Sequence, residues 1–162
     1  MLVEGSSSVF VPLPLARARK LAAEGRLTGP FPAYGVTPEL AAWGEFGPDE
    51  LEDATFTAQS LAGVASLTWP EAAGAERRVV LAVPATGFAV TPDGIPGEGT
   101  VPELEWRRVQ AVFSDDLSVD LTAVRDLARG RTVAEAWDDD VVAEFVEQND
   151  LGWFTPDEAR HW

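Results

Sequence analysis

The sequence contains no cysteine, and this absence removes disulfides, thiolate metal ligands and thiol nucleophiles from consideration. It contains one histidine, His161, beside the C-terminus, so histidine-dependent triads and multi-histidine metal sites are nearly excluded. No stretch approaches the roughly 20 apolar residues that a membrane span needs, and the first residues lack the basic and apolar regions of a signal peptide. We therefore expect a cytoplasmic protein with no thiol or imidazole chemistry.

Positive charge is also scarce. The 162 residues include 12 Lys and Arg against 27 Asp and Glu, a formal net charge of −15. Such a field repels phosphate backbones and anionic lipids, so nucleic acid and membranes are not expected partners. The acids are concentrated late in the chain, because residues 115–150 hold 11 of them and only three arginines. The charge favours a basic protein as the partner.

What is present fits one globular domain. A chain of this length with 46% apolar and 24% charged residues can bury one core but not two. We interpret residues 1–8 as a flexible leader and residues 9–162 as a single α/β domain, with helices packed on a central mixed β-sheet of four to six strands. The predicted strands lie at residues 9–12, 33–37, 77–84, 87–91 and 104–114. Residues 91–100 are interpreted as a surface loop. In the last strand the apolar residues move from even to odd positions, and a bulge at 107–108 explains this change.

Helical periodicity is strongest over residues 49–67, where Asp49 and Glu52 have the spacing of a capping box. A helix at 14–24 follows the first strand, and the order strand, helix, strand suggests a right-handed parallel crossover. Later helices begin near Ser118 and Thr132. The run at 138–140 either interrupts the last helix or caps a new one. The aromatic residues 151–154 predict that the end of the chain docks on the sheet.

The predicted core follows from these elements. Its members share an apolar position on a predicted helix or strand, and they are Val11, Leu21, Leu51, Leu61, Val80, Leu81, Val83, Val109, Ala111 and Phe113. Among the six tryptophans, Trp43, Trp106 and Trp153 lie in apolar segments and are expected in the core. Trp69 and Trp162 lie at element ends, where exposure is expected.

The late acids have three possible roles. The simplest role is as solvated helix caps. A second role is an acidic face that binds a basic partner, formed by Asp138, Asp139, Asp140, Glu144 and Glu147. A third is a site for a hard cation such as Mg²⁺ or Ca²⁺, with Asp115, Asp116 and Asp120 as ligands, although their spacing matches no calcium loop.

Catalytic residues are not identifiable from the sequence. Paired carboxylates for acid–base chemistry are available at residues 52–53, 115–116 and 158, but only their proximity in space decides whether they act together. No glycine-rich phosphate loop and no nucleophile elbow is present, and no cofactor is expected. The basic residues at 17, 19, 20 and 26 are expected to pair with the protein's own carboxylates rather than with a phosphate.

Six stretches in a fixed order resemble a known family: VFVPLPL at 9–15, AYGVTPEL at 33–40, DELEDATFTAQSLA at 49–62, RRVVLAV at 77–83, VQAVFSDD at 109–116 and LGWFTPDE at 151–158. The family comprises small, acidic, single-domain bacterial proteins from GC-rich actinobacterial genomes, and it is known only as a domain of unknown function. The chain departs from the family pattern at 53 and 55, where Tyr and Ala are usual, and at Phe113, where histidine is frequent. The resemblance implies a cytoplasmic α/β domain and no reaction.

Two hypotheses for the function remain open. The first is a non-enzymatic interaction or regulatory protein whose acidic face binds a basic partner. The alternative is an enzyme, or a binder of a small ligand or metal, that uses carboxylates at strand ends. A concave apolar pocket with converging carboxylates would favour the alternative, and a flat acidic face would favour the first.

Overall fold

The computed structural model describes all 162 residues and has a seven-stranded sheet at its centre. The strands are β1 Ser8–Leu13, β2 Arg26–Tyr34, β3 Val79–Pro84, β4 Ala89–Val90, β5 Glu98–Glu105, β6 Ala111–Ser114 and β7 Gly152–Phe154. Their order across the sheet is β4-β5-β2-β1-β3-β6-β7, and every neighbouring pair is antiparallel. The predicted docking of the end of the chain is confirmed, because β7 pairs with β6.

Seven α-helices cover the two faces of the sheet. They are α1 Leu15–Glu24, α2 Pro38–Trp43, α3 Leu51–Leu67, α4 Thr122–Ala128, α5 Val133–Trp137, α6 Asp140–Gln148 and α7 Pro156–Ala159. One face packs against α1 and α7, and the other face packs against α2 and α3. A third apolar cluster joins the C-terminal part of α3 to α4, α5 and α6. No helix combines the length and the apolar character that crossing a membrane requires.

The predicted fold class, an α/β domain with helices packed on a central sheet, is confirmed, with seven strands instead of four to six. The predicted parallel crossover and the mixed strand directions are wrong. Gly25, whose φ of 84° is left-handed, ends α1, and β2 begins at the next residue and runs antiparallel to β1. The chain therefore turns back after α1, and β2 does not run parallel to β1 as a crossover connection would require.

The segment predicted as a loop at 91–100 contains the start of β5, which pairs with β2. Gly99 also allows β5 to pair with β4 on its other edge, because a Cβ at this position would lie 2.4 Å from the Ala89 carbonyl oxygen. The single bulged strand predicted at 104–114 is also wrong. It is two strands, β5 and β6, separated by a 3-10 turn at Trp106–Arg108.

Most of the predicted core is buried, and only Leu51 and Phe113 are half-buried. Trp106 is buried as expected. Trp43 and Trp153 are 43% and 61% exposed, contrary to expectation, because they lie at the end of α2 and on the edge strand β7. Trp162 is half-buried, because its ring stacks on the Arg77 guanidinium at 3.9 Å.

Two arginines fasten α4 to the segment that follows α3. Arg125 is 1% exposed, and its Nη1 donates to the carbonyl oxygens of Ala73 and Glu76 at 2.7 and 2.5 Å. Arg129 Nη1 donates to the carbonyl oxygens of Pro70 and Ala72, both at 2.8 Å. Burial lowers the pKa of Arg125. These bonds satisfy carbonyl groups in a segment without regular structure.

Residues 1–7 precede β1. The Val3 N–H donates to the Val36 carbonyl oxygen at 2.8 Å, and Leu2 packs against the core on the α1 face. The division into a flexible leader and a domain beginning at residue 9 stays a prediction.

Candidate partner-binding groove

An open groove lies between α3 and the α5–α6 segment. Its volume is about 430 Å³, and most of its lining residues are apolar. One wall consists of Phe56, Thr57, Ser60 and Val64 of α3. The other wall consists of Trp137, Val142, Ala143, Val146, Glu147 and Asp150. An apolar concavity of this size with a few polar groups is typical of a binding site.

The sequence of α3 creates the first wall because this helix is apolar on more than one side. Its alanine-rich side, with Ala54, Ala58 and Leu61, is buried against the sheet. An adjacent side of the same helix faces the groove, and its residue Phe56 is 47% exposed. At the C-terminal end of this wall, Val64 is buried against the α4–α6 cluster, and this contact closes the floor.

Helix capping positions the second wall. The Asp139 carboxylate accepts hydrogen bonds from the Val141 and Val142 N–H groups at 2.8 and 3.2 Å, so α6 begins at residue 140. The same carboxylate accepts from Arg131 Nη1 at 2.9 Å, and this contact lowers the pKa of Asp139. The acidic run therefore caps a new helix, which was one of the two predicted outcomes. Val142 is then buried against α3.

A buried ion pair fixes the other end of α6. The Arg78 and Asp115 side chains are 2% and 1% exposed, and Arg78 Nη2 lies 2.7 Å from Asp115 Oδ1. Arg78 Nε and its backbone N–H both donate to Asp115 Oδ2, at 3.0 and 2.9 Å. Arg78 Nη2 also donates to the Asn149 carbonyl oxygen at 3.0 Å, and the guanidinium lies 5.2 Å from the Phe145 ring centre. The pair thus connects β3 and the end of β6 to the C-terminus of α6.

The groove has a narrow extension at this end. The extension shares Phe56, Ser60, Val146 and Asp150 with the groove, and Arg78 and Asn149 also line it. The hydrogen bonds of Arg78 use its backbone N–H, Nε and Nη2, whereas Nη1 donates to no protein atom. A buried guanidinium with one free donor group therefore lies beside the groove.

Two exposed apolar side chains are neighbours of residues that line the groove. Trp43 of α2 contacts Trp137 of α5, with ring centres 5.9 Å apart. Trp43 remains 43% exposed and Val141 58% exposed, close in sequence to the lining residue Val142. Exposed apolar side chains beside an apolar groove are typical of interaction sites.

The walls of the groove carry charge of one sign. Residues 49–67 contain four acids, residues 132–150 contain seven, and neither segment contains Lys or Arg. We call these two segments the acidic groove face. Glu147 and Asp150 are the charged residues that line the groove, and neither has an ion-pair partner. The negative charge at the groove is therefore not neutralised within the protein.

The structure places all five residues of the predicted acidic face on α5–α6 or between these helices. Asp138 is the C-cap residue that follows α5, Asp140 begins α6, and both are exposed. Asp139 is used as a cap and an ion-pair partner. Glu144 is exposed on α6 and accepts a hydrogen bond from a neighbouring glutamine, whereas Glu147 lines the groove. A role in partner binding stays a prediction for these residues.

The three carboxylates predicted as metal ligands have separate structural partners. Asp115 belongs to the buried ion pair. Asp116 accepts from the N–H and hydroxyl of Ser118 at 2.9 and 2.7 Å, and Asp120 accepts from the Thr122 N–H at 3.0 Å. These hydrogen bonds lower the pKa of Asp116 and Asp120. The structure contains no group of three acidic or histidine side chains arranged to hold a metal ion.

The carboxylates considered for catalysis are not gathered at one strand end. Glu158 forms a capping box with Thr155 at the start of α7, where the Thr155 N–H donates to its carboxylate at 3.0 Å. The residues at 52–53 lie in the first turn of α3. The carboxylates that do line a groove, Glu147 and Asp150, belong to α6 and the residues after it.

Three of the four early basic residues, Arg17, Arg19 and Lys20, lie on α1, and the fourth begins β2. Arg26 pairs with Glu105, as expected. Arg17 stacks on the Phe31 ring at 5.5 Å, Arg19 Nε donates to the carbonyl oxygen of the last residue at 2.8 Å, and Lys20 has no ion-pair partner. Internal pairing is thus correct for one of the four. Helix α1, with three of these cations, and the acidic groove face pack on opposite sides of the sheet.

Four residues that line the groove were not predicted as site residues: Phe56, Trp137, Val146 and Asp150. A signal was present, because α3 carries apolar residues on two sides and residues 141–146 form an apolar stretch beside acids. These residues come together only because α6 packs against α3, and the periodicity of the sequence does not show this packing.

Comparison with known proteins gives one result. A family model described as a family of unknown function, DUF6912, matches residues 8–161, which is nearly the whole chain. No curated protein and no solved structure matches the chain. The resemblance to a family of unknown function is therefore confirmed, and the chain belongs to the DUF6912 family.

Proposed function

We propose that this chain is a non-enzymatic interaction or regulatory protein that binds a basic protein through the acidic groove face. The observation that supports the proposal is the combination of the unpaired carboxylates of Glu147 and Asp150 with the exposed side chain of Phe56 and the half-buried ring of Trp137. Protein interfaces commonly have an apolar centre, often aromatic, inside a polar rim. The two parts have different roles in binding.

The carboxylates act before contact. A negatively charged face attracts a positively charged partner over about 8–10 Å at ordinary ionic strength, and it raises the association rate. The apolar part acts after contact, because burying exposed side chains such as Phe56 and Val141 provides affinity that salt does not screen. We therefore expect association to slow as salt is added, while the complex retains part of its affinity.

Several carboxylates considered for catalysis have structural roles instead. Asp115 neutralises a buried arginine, and Asp116 and Glu158 stabilise turns and helix ends. The size of the groove favours a second candidate function, the binding of a small apolar cation, since about 430 Å³ lies in the range of small-molecule sites. Binding of a long-chain alkylammonium ion without capture of any protein would favour this alternative.

The proposal extends to the setting of the protein. We place the chain in the cytoplasm of an actinobacterium, on the basis of its composition and the resemblance described above. The partner is accordingly to be sought in cytoplasmic extracts of such cells.

The test is affinity capture at low and high salt with three forms of the protein. Wild type is compared with the Glu147→Gln/Asp150→Asn variant and with Glu24→Gln/Asp157→Asn, which changes the charge equally on the α1 and α7 side. We expect wild type and the control to capture the same basic protein at low salt, and the groove variant to lose it. Equal capture by all three forms, or capture of no basic protein, would count against the proposal.

A further inference from the structure

The shape and charge of the groove indicate which kind of partner segment would occupy it. We infer that it is a basic amphipathic helix of the partner, which inserts its apolar stripe between α3 and α6 and directs its Lys and Arg residues to the carboxylates beside the groove. This inference rests on the proposed function and specifies what the partner presents. Docking of a helix into a groove is a common mode of recognition, in which apolar anchors recur at helical spacing.

The dimensions of the groove fit one face of a helix. The α3 wall extends from Phe56 to Val64, and eight residues of helix correspond to about 12 Å. Apolar anchors at positions i, i+4 and i+7 of a docked helix span about 10.5 Å. The groove is open along one side, so a helix docked there keeps its opposite face in solvent.

The chemistry along the groove fits a helix that is apolar on the inserted face and basic beside it. Phe56 and Trp137 provide aromatic surface for aliphatic anchors and for stacking by Arg side chains. Glu147 and Asp150 line the wall to which Trp137 also belongs, and neither forms an ion pair with a Lys or Arg of the protein. At the narrow end, the free Nη1 of Arg78 is available to a backbone carbonyl of the occupant, and the last turn of a helix has such carbonyls.

Charge and burial argue against a second copy of this chain as the occupant. Two copies each carry a formal charge of −15 and repel one another. The basic helix of this chain is α1, which carries Arg17, Arg19 and Lys20. Its apolar residues Ala18 and Leu21 are 8% and 0% exposed in its own core, so α1 has no free apolar stripe to insert.

The test uses designed peptides of about 15 residues, a length at which helices begin to form. The first peptide has leucines at i, i+4 and i+7 and lysines on the remaining faces. The second has the same composition with the leucines distributed around the helix, and the third has glutamate in place of lysine. Binding is measured by fluorescence anisotropy of the labelled peptide at low salt and at about 0.15 M.

We expect the amphipathic basic peptide to bind at least about tenfold more tightly than its redistributed form, because loss of one buried anchor has an effect of this size. The acidic peptide should not bind. Equal binding by the amphipathic and redistributed peptides would overturn the inference. Sedimentation of the protein alone should show a monomer, and a dimer that blocks peptide binding would identify a second copy as the occupant instead.

Variants locate the binding. Ser60→Phe fills the groove and should weaken the amphipathic peptide at least about tenfold, whereas Ser7→Phe adds the same ring before β1 and should have no effect. If Ser60→Phe lowers the urea midpoint, Phe56→Ser replaces it, since this side chain is 47% exposed and its removal spares the core. Unchanged peptide affinity in a folded groove variant would overturn the inference.

Different results would refute the proposed binding of a basic protein and the inference that a helix of that protein docks in the groove. If both basic peptides bind equally, lose affinity with salt and are weakened by Glu147→Gln/Asp150→Asn, the acidic face stands and the helix in the groove is refuted. If neither basic peptide binds in a salt-dependent manner and extracts yield no basic protein, the proposed function itself is refuted.

Discussion

Replacing Asp115 with alanine should destabilise the protein strongly, because it leaves the Arg78 guanidinium buried without its counter-ion. The two side chains are 2% and 1% exposed, and three hydrogen bonds run from Arg78 to the Asp115 carboxylate. Removing one member of a buried ion pair costs about 3–5 kcal/mol. Typical domains are stable by about 5–15 kcal/mol, so the variant should lose a large part of its stability.

The loss is measured by urea unfolding followed by tryptophan fluorescence. With a slope of about 2 kcal/mol per molar urea, a loss of about 3–5 kcal/mol lowers the midpoint by about 1.5–2.5 M. Asp116→Ala is the matched control, since it removes the adjacent, exposed carboxylate and should shift the midpoint far less. A shift for Asp115→Ala no larger than that of the control would refute the reasoning.

A double variant separates the charge from the packing. Arg78→Met alone leaves a buried carboxylate, and Asp115→Ala alone leaves a buried cation. The combined variant leaves neither, so its stability should lie closer to wild type than that of either single variant. Because Arg78 Nη2 also donates to the Asn149 carbonyl oxygen, amide signals at the end of α6 should shift in every variant that lacks Arg78. Additive losses in the double variant would show that the two charges are not coupled.

Three further predictions follow from the packing, the caps and the acidic groove face. Leu61→Ala, at a fully buried position of α3, should cost about 2–5 kcal/mol in urea unfolding, and a loss below roughly 0.5 kcal/mol would contradict its place in the core. Hydrogen bonds lower the pKa of the carboxyls of Asp139 and Glu158 below their unfolded values near 4. Their contribution to the stability of the fold is therefore present above pH 4, and it is lost as the pH falls through the pKa values of the folded state. Between pH 5 and 3, Asp139→Asn/Glu158→Gln should therefore lose less of its urea midpoint than wild type, and an equal loss would refute this. Replacing residues 138–140 with asparagine should weaken a salt-sensitive complex with a basic partner, since Asn retains the capping function while the charge is removed; unchanged binding at low salt would show that these acids serve solubility alone.

Helices were the elements that the sequence predicted best, because their signals are local. Thr132 forms its capping box with Glu135 at a position where a helix was expected to begin. The capping box predicted for Asp49 and Glu52 is displaced, since the Glu50 carboxylate accepts the Gly47 N–H and a 3-10 turn precedes α3. The helix expected to begin near Ser118 begins at Thr122, so the errors at helix starts were shifts of up to about one turn.

Strands were predicted less well, because their pairing is not local. Much of β2 and the first residues of β5 contain Pro and Gly, which are typical of turns, yet each segment becomes a strand by pairing with the other across the sheet. Trp153 shows the same limit, since its apolar neighbours indicated a core position and its place on the edge strand β7 leaves it exposed. Position within the sheet decides burial, and it is a property of the whole chain.

The sequence by itself determined the charge of this protein, the absence of thiol chemistry and the location of most helices, since these follow from composition and from contacts within a few residues. Tertiary structure alone decided which carboxylates are free. Asp115 is neutralised by an arginine 37 residues away, whereas Glu147 and Asp150 have no such partner. It also created the groove, because the wall residues of α3 and α6 are about 80 positions apart in the chain and meet only when both helices pack together. Long-range packing brings such residues together, and no local pattern records it.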